Sequence, residues 1–210
     1  MDKPALLAHL THFHQQVIDE MYAVTRVRAP PADIRIRPWL HADASWGRKT
    51  DKPKQGFIII DEGVPERGAP LVYLPELISQ KECFLVHETG HHVHAQSDAV
   101  WAQFDLYPNH LEQRTPFEKR LHRYDELVAE FFMCCYYERN GKLMNLVESE
   151  RNNHPFYNPI HALYQAIPPE LGEREQTCRW LVTYAYTDVR RQFRGSETLE
   201  RIGRFVRNEM

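Results

Sequence analysis

Apolar residues in the first part of the chain recur at spacings of three and four: Leu6, Leu10, Phe13, Val17 and Met21. That spacing lines one face of a helix over residues 4–25, and Arg28-Ala29-Pro30-Pro31 ends it. The period then changes. Asp33-Ile34-Arg35-Ile36-Arg37 alternates polar and apolar positions, as a half-buried strand does. Gly56-Phe57-Ile58-Ile59-Ile60 and Leu71-Val72-Tyr73-Leu74 are short apolar runs that predict two more strands, and Ala44-Ser45-Trp46-Gly47 predicts another. Turn signals at Lys52-Pro53, Glu62-Gly63 and Gly68-Ala69-Pro70 separate them. Connections this short predict a small, mostly antiparallel sheet.

From Pro75 onward the pattern is helical. Helices are expected over 75–96, 116–140, 156–167, 170–192 and 197–208, with Gly141 as a C-terminal stop and an irregular aromatic stretch over 98–116. A sheet followed by helices is an α+β arrangement. The chain divides into an N-terminal helix (1–30), a core (31–145) and a helical C-terminal extension packed on that core (146–210).

Composition narrows the function classes. The net charge is −3, so nucleic acid and anionic membrane surfaces are not expected partners. The arginines at 190, 191, 194, 201, 204 and 207 read as a solvated face with Glu197, Glu200 and Glu209 as partners. No run approaches the roughly 20 apolar residues of a membrane span, and Met1-Asp2-Lys3-Pro4 opens no signal-peptide core. Cys83, Cys134, Cys135 and Cys178 form no CxxC pair, which predicts reduced thiols and a cytoplasmic setting. Twelve histidines in 210 residues are the count that changes the picture, because they point to metal chemistry.

His87-Glu88-Thr89-Gly90-His91 concentrates that chemistry. Histidines at i and i+4 lie one turn apart on one helix face, where both imidazoles can converge on a zinc ion. Glu88 sits one step round, placed to reach a water on the metal rather than the metal. Zinc brings that water's pKa toward neutrality, and Glu88 is the expected general base for its attack on a carbonyl. Gly90 lacks a side chain and lets another element pack closely. His94 shares the face but lies roughly 10 Å along the axis from His87, too far to close on the same ion. His92 points about 100° away. Both read as outer partners or solvent-facing groups.

A third ligand is needed. In Tyr124-Asp125-Glu126-Leu127-Val128-Ala129-Glu130-Phe131-Phe132, Glu126 and Glu130 lie one turn apart on a helix with an apolar body. Ala129 is small enough for close approach. Buried carboxylates need a cation or donors. Glu126 as metal ligand and Glu130 as acceptor for a ligand histidine's Nδ1–H satisfy both. The competing reading is a solvent-facing pair, or one salt-bridged by Arg123 and Arg139 nearby in sequence.

His87-Glu88-x-x-His91 followed by Glu126-x-x-Ala129-Glu130 resembles the gluzincin branch of the zincin metallopeptidases. The phrase Glu126-Leu127-Val128-Ala129-Glu130-Phe131-Phe132 is most similar to the short intracellular peptidases of the ImmA/IrrE type, whose helix reads E-x-x-A-[ND]-x-F-A. Here Glu130 stands for Asn or Asp, and Met133 for the final Ala. The match covers residues 84–133. It implies a zincin-like fold, a Zn2+ cofactor, a peptide or protein substrate, and an edge strand that aligns it, either Ala44 to Gly47 or Gly56 to Ile60. It also implies a donor for the oxyanion. His154 and Tyr157 are the candidates, with His161 in the same Pro-bounded stretch and Tyr184 and Tyr186 behind them. The alternative is a zinc-binding regulatory or partner-binding protein that keeps the site with little or no proteolysis.

Overall fold

A computed structural model describes residues 2–38, 44–48, 55–62, 75–97, 115–143, 158–168, 172–184, 186 and 197–207. Among them the chain is α+β, with six helices and one three-stranded sheet. The elements are α1 (Lys3–Thr25), β1 (Asp33–Arg37), β2 (Ala44–Arg48), β3 (Gly56–Asp61), α2 (Pro75–His94), α3 (Pro116–Arg139), α4 (Asn158–Gln165), α5 (Glu173–Thr183) and α6 (Glu197–Arg207). The expected strand Leu71–Leu74 and the stretch 98–114 lie outside the described residues.

Helix ends follow local chemistry. Asp2 caps α1 by accepting from the Ala5 N–H at 2.9 Å. Thr115 and Glu118 form a reciprocal capping box at the start of α3, with Pro116 directly inside. At the other end Gly141 takes a φ of 68°, the Lys142 N–H reaches Tyr137 O at 2.8 Å, and the Gly141 N–H reaches Glu138 O at 3.0 Å. That pair of bonds is a Schellman stop, and glycine suits its left-handed residue. Helix α5 ends at Thr183, short of the expected 192. Tyr184 turns extended there, and its carbonyl accepts from the Tyr124 hydroxyl at 3.2 Å.

The sheet corrects one expectation. Its order is β1-β3-β2, with β1 parallel to β3 and β2 antiparallel to β3, so it is mixed rather than mostly antiparallel. Short connections do reverse the chain at each step. But β3 inserts between its two predecessors, and it therefore runs with β1 and against β2. This leaves β2 at an edge and β3 paired on both sides.

Two cores result. Ile34, Ile36, Ile58 and Ile60 on one sheet face pack with Leu6 and Leu10 of α1 and Leu85 of α2. A larger helical core joins Val17, Met21 and Val24 to Val86, Phe131, Phe132, Ile160, Leu181 and Val206, drawing on all six helices. At roughly 1.5–3 kcal/mol per buried large apolar side chain, this core fixes how α2 and α3 meet. Among the described residues no helix is long and apolar enough to cross a membrane.

Candidate metal centre

Helices α2 and α3 run antiparallel, and their contacts form a ladder. The Cys83 thiol meets the Met133 sulfur at 3.7 Å, His87 meets Glu130, Gly90 rests on the Ala129 backbone, and His94 meets Asp125. Each step up α2 is a step down α3. The two small residues, Gly90 and Ala129, let the helix backbones touch midway. That contact brings the side chains one turn to either side within bonding distance across the helix pair.

His87, His91 and Glu126 form a grouping that could hold a metal ion. The two imidazole Nε2 atoms are 3.2 Å apart. Glu126 places Oε2 3.3 Å from His87 Nε2 and Oε1 3.7 Å from His91 Nε2. Donor atoms bonded at about 2.0–2.1 Å in a tetrahedral array lie about 3.3–3.4 Å from one another. The three residues present therefore fit one small ion. The competing partners for the carboxylates are engaged elsewhere: Arg139 pairs with Glu175, and Arg123 donates to Phe205 O at 3.5 Å.

Each imidazole turns Nε2 to the centre and Nδ1 to a carboxylate behind it. His87 Nδ1 lies 3.0 Å from Glu130 Oε2, the relationship expected from helical spacing. His91 Nδ1 lies 2.9 Å from Asp125 Oδ2, and Asp125 Oδ1 lies 2.9 Å from His94 Nδ1. Sequence reasoning assigned Asp125 nothing. Its signal was available only in combination: Asp125 is one turn before Ala129, as His94 is one turn after Gly90. His94 is buried against it and is not solvent-facing. His92 is also fully buried. It directs Nε2 to Pro30 O at 2.6 Å and accepts from the Trp46 indole at 3.3 Å, because α2 is covered by β2 on that side.

The electrostatics follow from burial set against pairing. Burial raises Glu88, only partly offset by His91 and His87, and holds its carboxyl above the usual range. Burial would lower His91, but the charge and hydrogen bond of Asp125 outweigh it and push it up to about 9. His87 is raised by its bonds to Glu126 and Glu130, again against burial. Burial would raise Glu126, yet His87 and His91 bring it down to about 2. Glu126 is thus held as an anion, and a cation can take the place of the protons on the imidazoles.

Glu88 stays outside the ligand grouping. Its carboxylate accepts from the backbone N–H of Trp46, on edge strand β2. His122, one turn before Glu126, has Nδ1 3.6 Å from Glu126 Oε1 and is 38 % exposed, which marks the open side of the site.

His154 and Tyr157 lie outside the described residues. His161 does not face the site opening. It is buried on α4 with Nε2 on Glu130 Oε1. Tyr186 is buried beside Phe117 and Tyr124, and the Tyr184 ring packs on Trp180. A second grouping, Glu130, Cys134 and His161, also brings ligand-type atoms within 4.8 Å. It is sealed from solvent, and both Glu130 oxygens already face imidazole nitrogens. The open grouping of His87, His91 and Glu126 is the candidate centre. Comparison with protein-family models, with curated proteins and with solved structures finds no match in any of the three.

Proposed function

We propose that the chain is a zinc-dependent peptidase in which His87, His91 and Glu126 hold the metal and Glu88 is the general base. The observation that carries this reading is the convergence of three side chains, with the two imidazole Nε2 atoms 3.2 Å apart and the two Glu126 oxygens 3.3 Å from His87 Nε2 and 3.7 Å from His91 Nε2, and with the buried Glu88 carboxylate beside them and outside the ligand set. Two imidazoles and one carboxylate suit zinc and leave a coordination position open, as a catalytic site needs and a closed structural site lacks. Zinc, when bound, supplies a Lewis acid for the substrate carbonyl and a lowered pKa for the attacking water.

The protein's own groups do the rest. Glu88, raised by burial, is the stronger base for it. It takes the proton of the attacking water and returns it to the leaving nitrogen. Among the described residues β2 is an edge strand of the sheet, while β3 is paired on both sides. The Trp46 N–H on Glu88 puts that edge beside the base, so a peptide adding to β2 by main-chain pairing runs past the centre.

The test is Glu88→Gln, with zinc content and cleavage of a peptide library measured together. The expected variant keeps its zinc and loses about 10²–10⁴ in turnover. Unchanged cleavage would refute the assigned base. A wild-type chain that binds zinc and cleaves nothing would favour a regulatory zinc protein instead.

A further inference from the structure

The carboxylate behind His87 is itself held from the other side. Glu130 is fully buried, and each of its oxygens needs a donor, because an unpaired carboxylate oxygen in a dry interior is costly. His87 Nδ1 serves Oε2 at 3.0 Å, and His161 Nε2 serves Oε1. His161 comes from α4, beyond the two helices that carry the metal ligands. Its helix is clamped to α3: the Tyr164 ring packs edge-on against Phe131 at 5.4 Å, and the Tyr164 hydroxyl donates to Glu138 at 2.7 Å. Behind the other imidazole, Asp125 sets one oxygen 2.9 Å from His94 Nδ1 and the other 2.9 Å from His91 Nδ1.

We propose that His161 is a positioning residue of the metal centre, acting through Glu130 to fix the ring orientation and tautomer of His87. The inference rests on the metal reading above. It extends the centre to the C-terminal helices, whose docking then sets metal affinity without supplying a ligand. A carboxylate with one donor can rotate away from His87. With His161 in place, both oxygens are tied and the Nδ1–H of His87 has one acceptor geometry. His87 then keeps Nε2 unprotonated and aimed at the ion.

The experiment measures zinc affinity of the full chain by competition with a chromophoric chelator at fixed pH. His161→Gln reaches Glu130 with an amide N–H, whereas His161→Asn is one methylene too short. The Asn variant is expected to weaken zinc binding roughly 10–100-fold and the Gln variant far less. In a Glu130→Gln background the Asn substitution should add little, since the route is already cut. Wild-type affinity in His161→Asn, equal losses from Asn and Gln, or an undiminished loss in the Glu130→Gln background overturns the proposal. A second zinc per chain that disappears in His161→Asn also overturns it, by making the sealed grouping a metal site. Nitrogen-15 NMR of the zinc-loaded wild type gives an answer without any variant. A slowly exchanging proton on His161 Nε2 is expected, and a bare Nε2 overturns the proposal. A wild-type chain that binds no zinc refutes the metal reading itself.

Discussion

Gly90 rests on the backbone of Ala129: a Cβ on Gly90 would lie 2.8 Å from the Ala129 Cα and 3.0 Å from its carbonyl oxygen. Both atoms are main chain, so neither can swing aside. Gly90→Ala gains about 1 kcal/mol of helix propensity and forces α2 off α3, an overpacking that costs roughly 1–3 kcal/mol. The net expectation is a lower urea midpoint together with weaker zinc binding, because the same crossing brings Glu126 to His87 and His91. A more stable variant with intact zinc affinity would show that the contact does not set the site.

Glu126→Ala removes one of three proposed ligands. Its loss of zinc affinity should exceed the roughly 10–100-fold typical of an outer hydrogen-bond partner. Competition titration against a chelator checks this, and an unchanged affinity removes Glu126 from the ligand set.

Asp125 sits between His91 and His94, with one oxygen 2.9 Å from each Nδ1. In Asp125→Asn the amide fits the same space but offers one oxygen where two are used. Zinc affinity is expected to fall about 10–100-fold with far-ultraviolet circular dichroism unchanged. A variant that binds zinc like wild type would leave Asp125 with a packing role only.

His14 adds an acid response of its own to the fold. It is fully buried, accepts from the Ala32 N–H through Nε2 at 3.0 Å, and sets Nδ1 2.8 Å from the Thr89 hydroxyl. Thr89 donates in turn to Leu85 O, so His14 is the donor to Thr89 and is neutral. A second proton would sit against the Ala32 N–H. Burial, and then neighbouring His92, lower its pKa from 6.5 to about 3. The depressed value means that the stabilisation is complete above pH 6.5 and is lost as pH falls from there toward 3, by about 1.4 kcal/mol per pH unit. Urea midpoints of wild type and His14→Gln should therefore converge as pH drops through that window. A gap that stays constant from pH 7 to 4 contradicts a neutral buried His14.

Local spacing alone determined a good part of this protein. Helix periodicity put His87 and His91 on one face of their helix, and Glu126 and Glu130 on one face of theirs. Those relations hold within single helices, where 3.6 residues per turn fixes the answer. Most helix spans came from the same source, down to Gly141 as a stop, although the helix expected over 170–192 ends at Thr183. Only the tertiary structure decided which residues meet between elements. The register of α2 on α3 follows from the Gly90–Ala129 contact and the surrounding core, and it brought Asp125 to His91 and His94. Docking of α4 turned His161 toward Glu130 instead of the site opening. Insertion of β3 between β1 and β2 made the sheet mixed and left β2 as the edge beside Glu88. Such pairings depend on burial summed over many distant side chains, and a periodicity read along one segment carries no information about them.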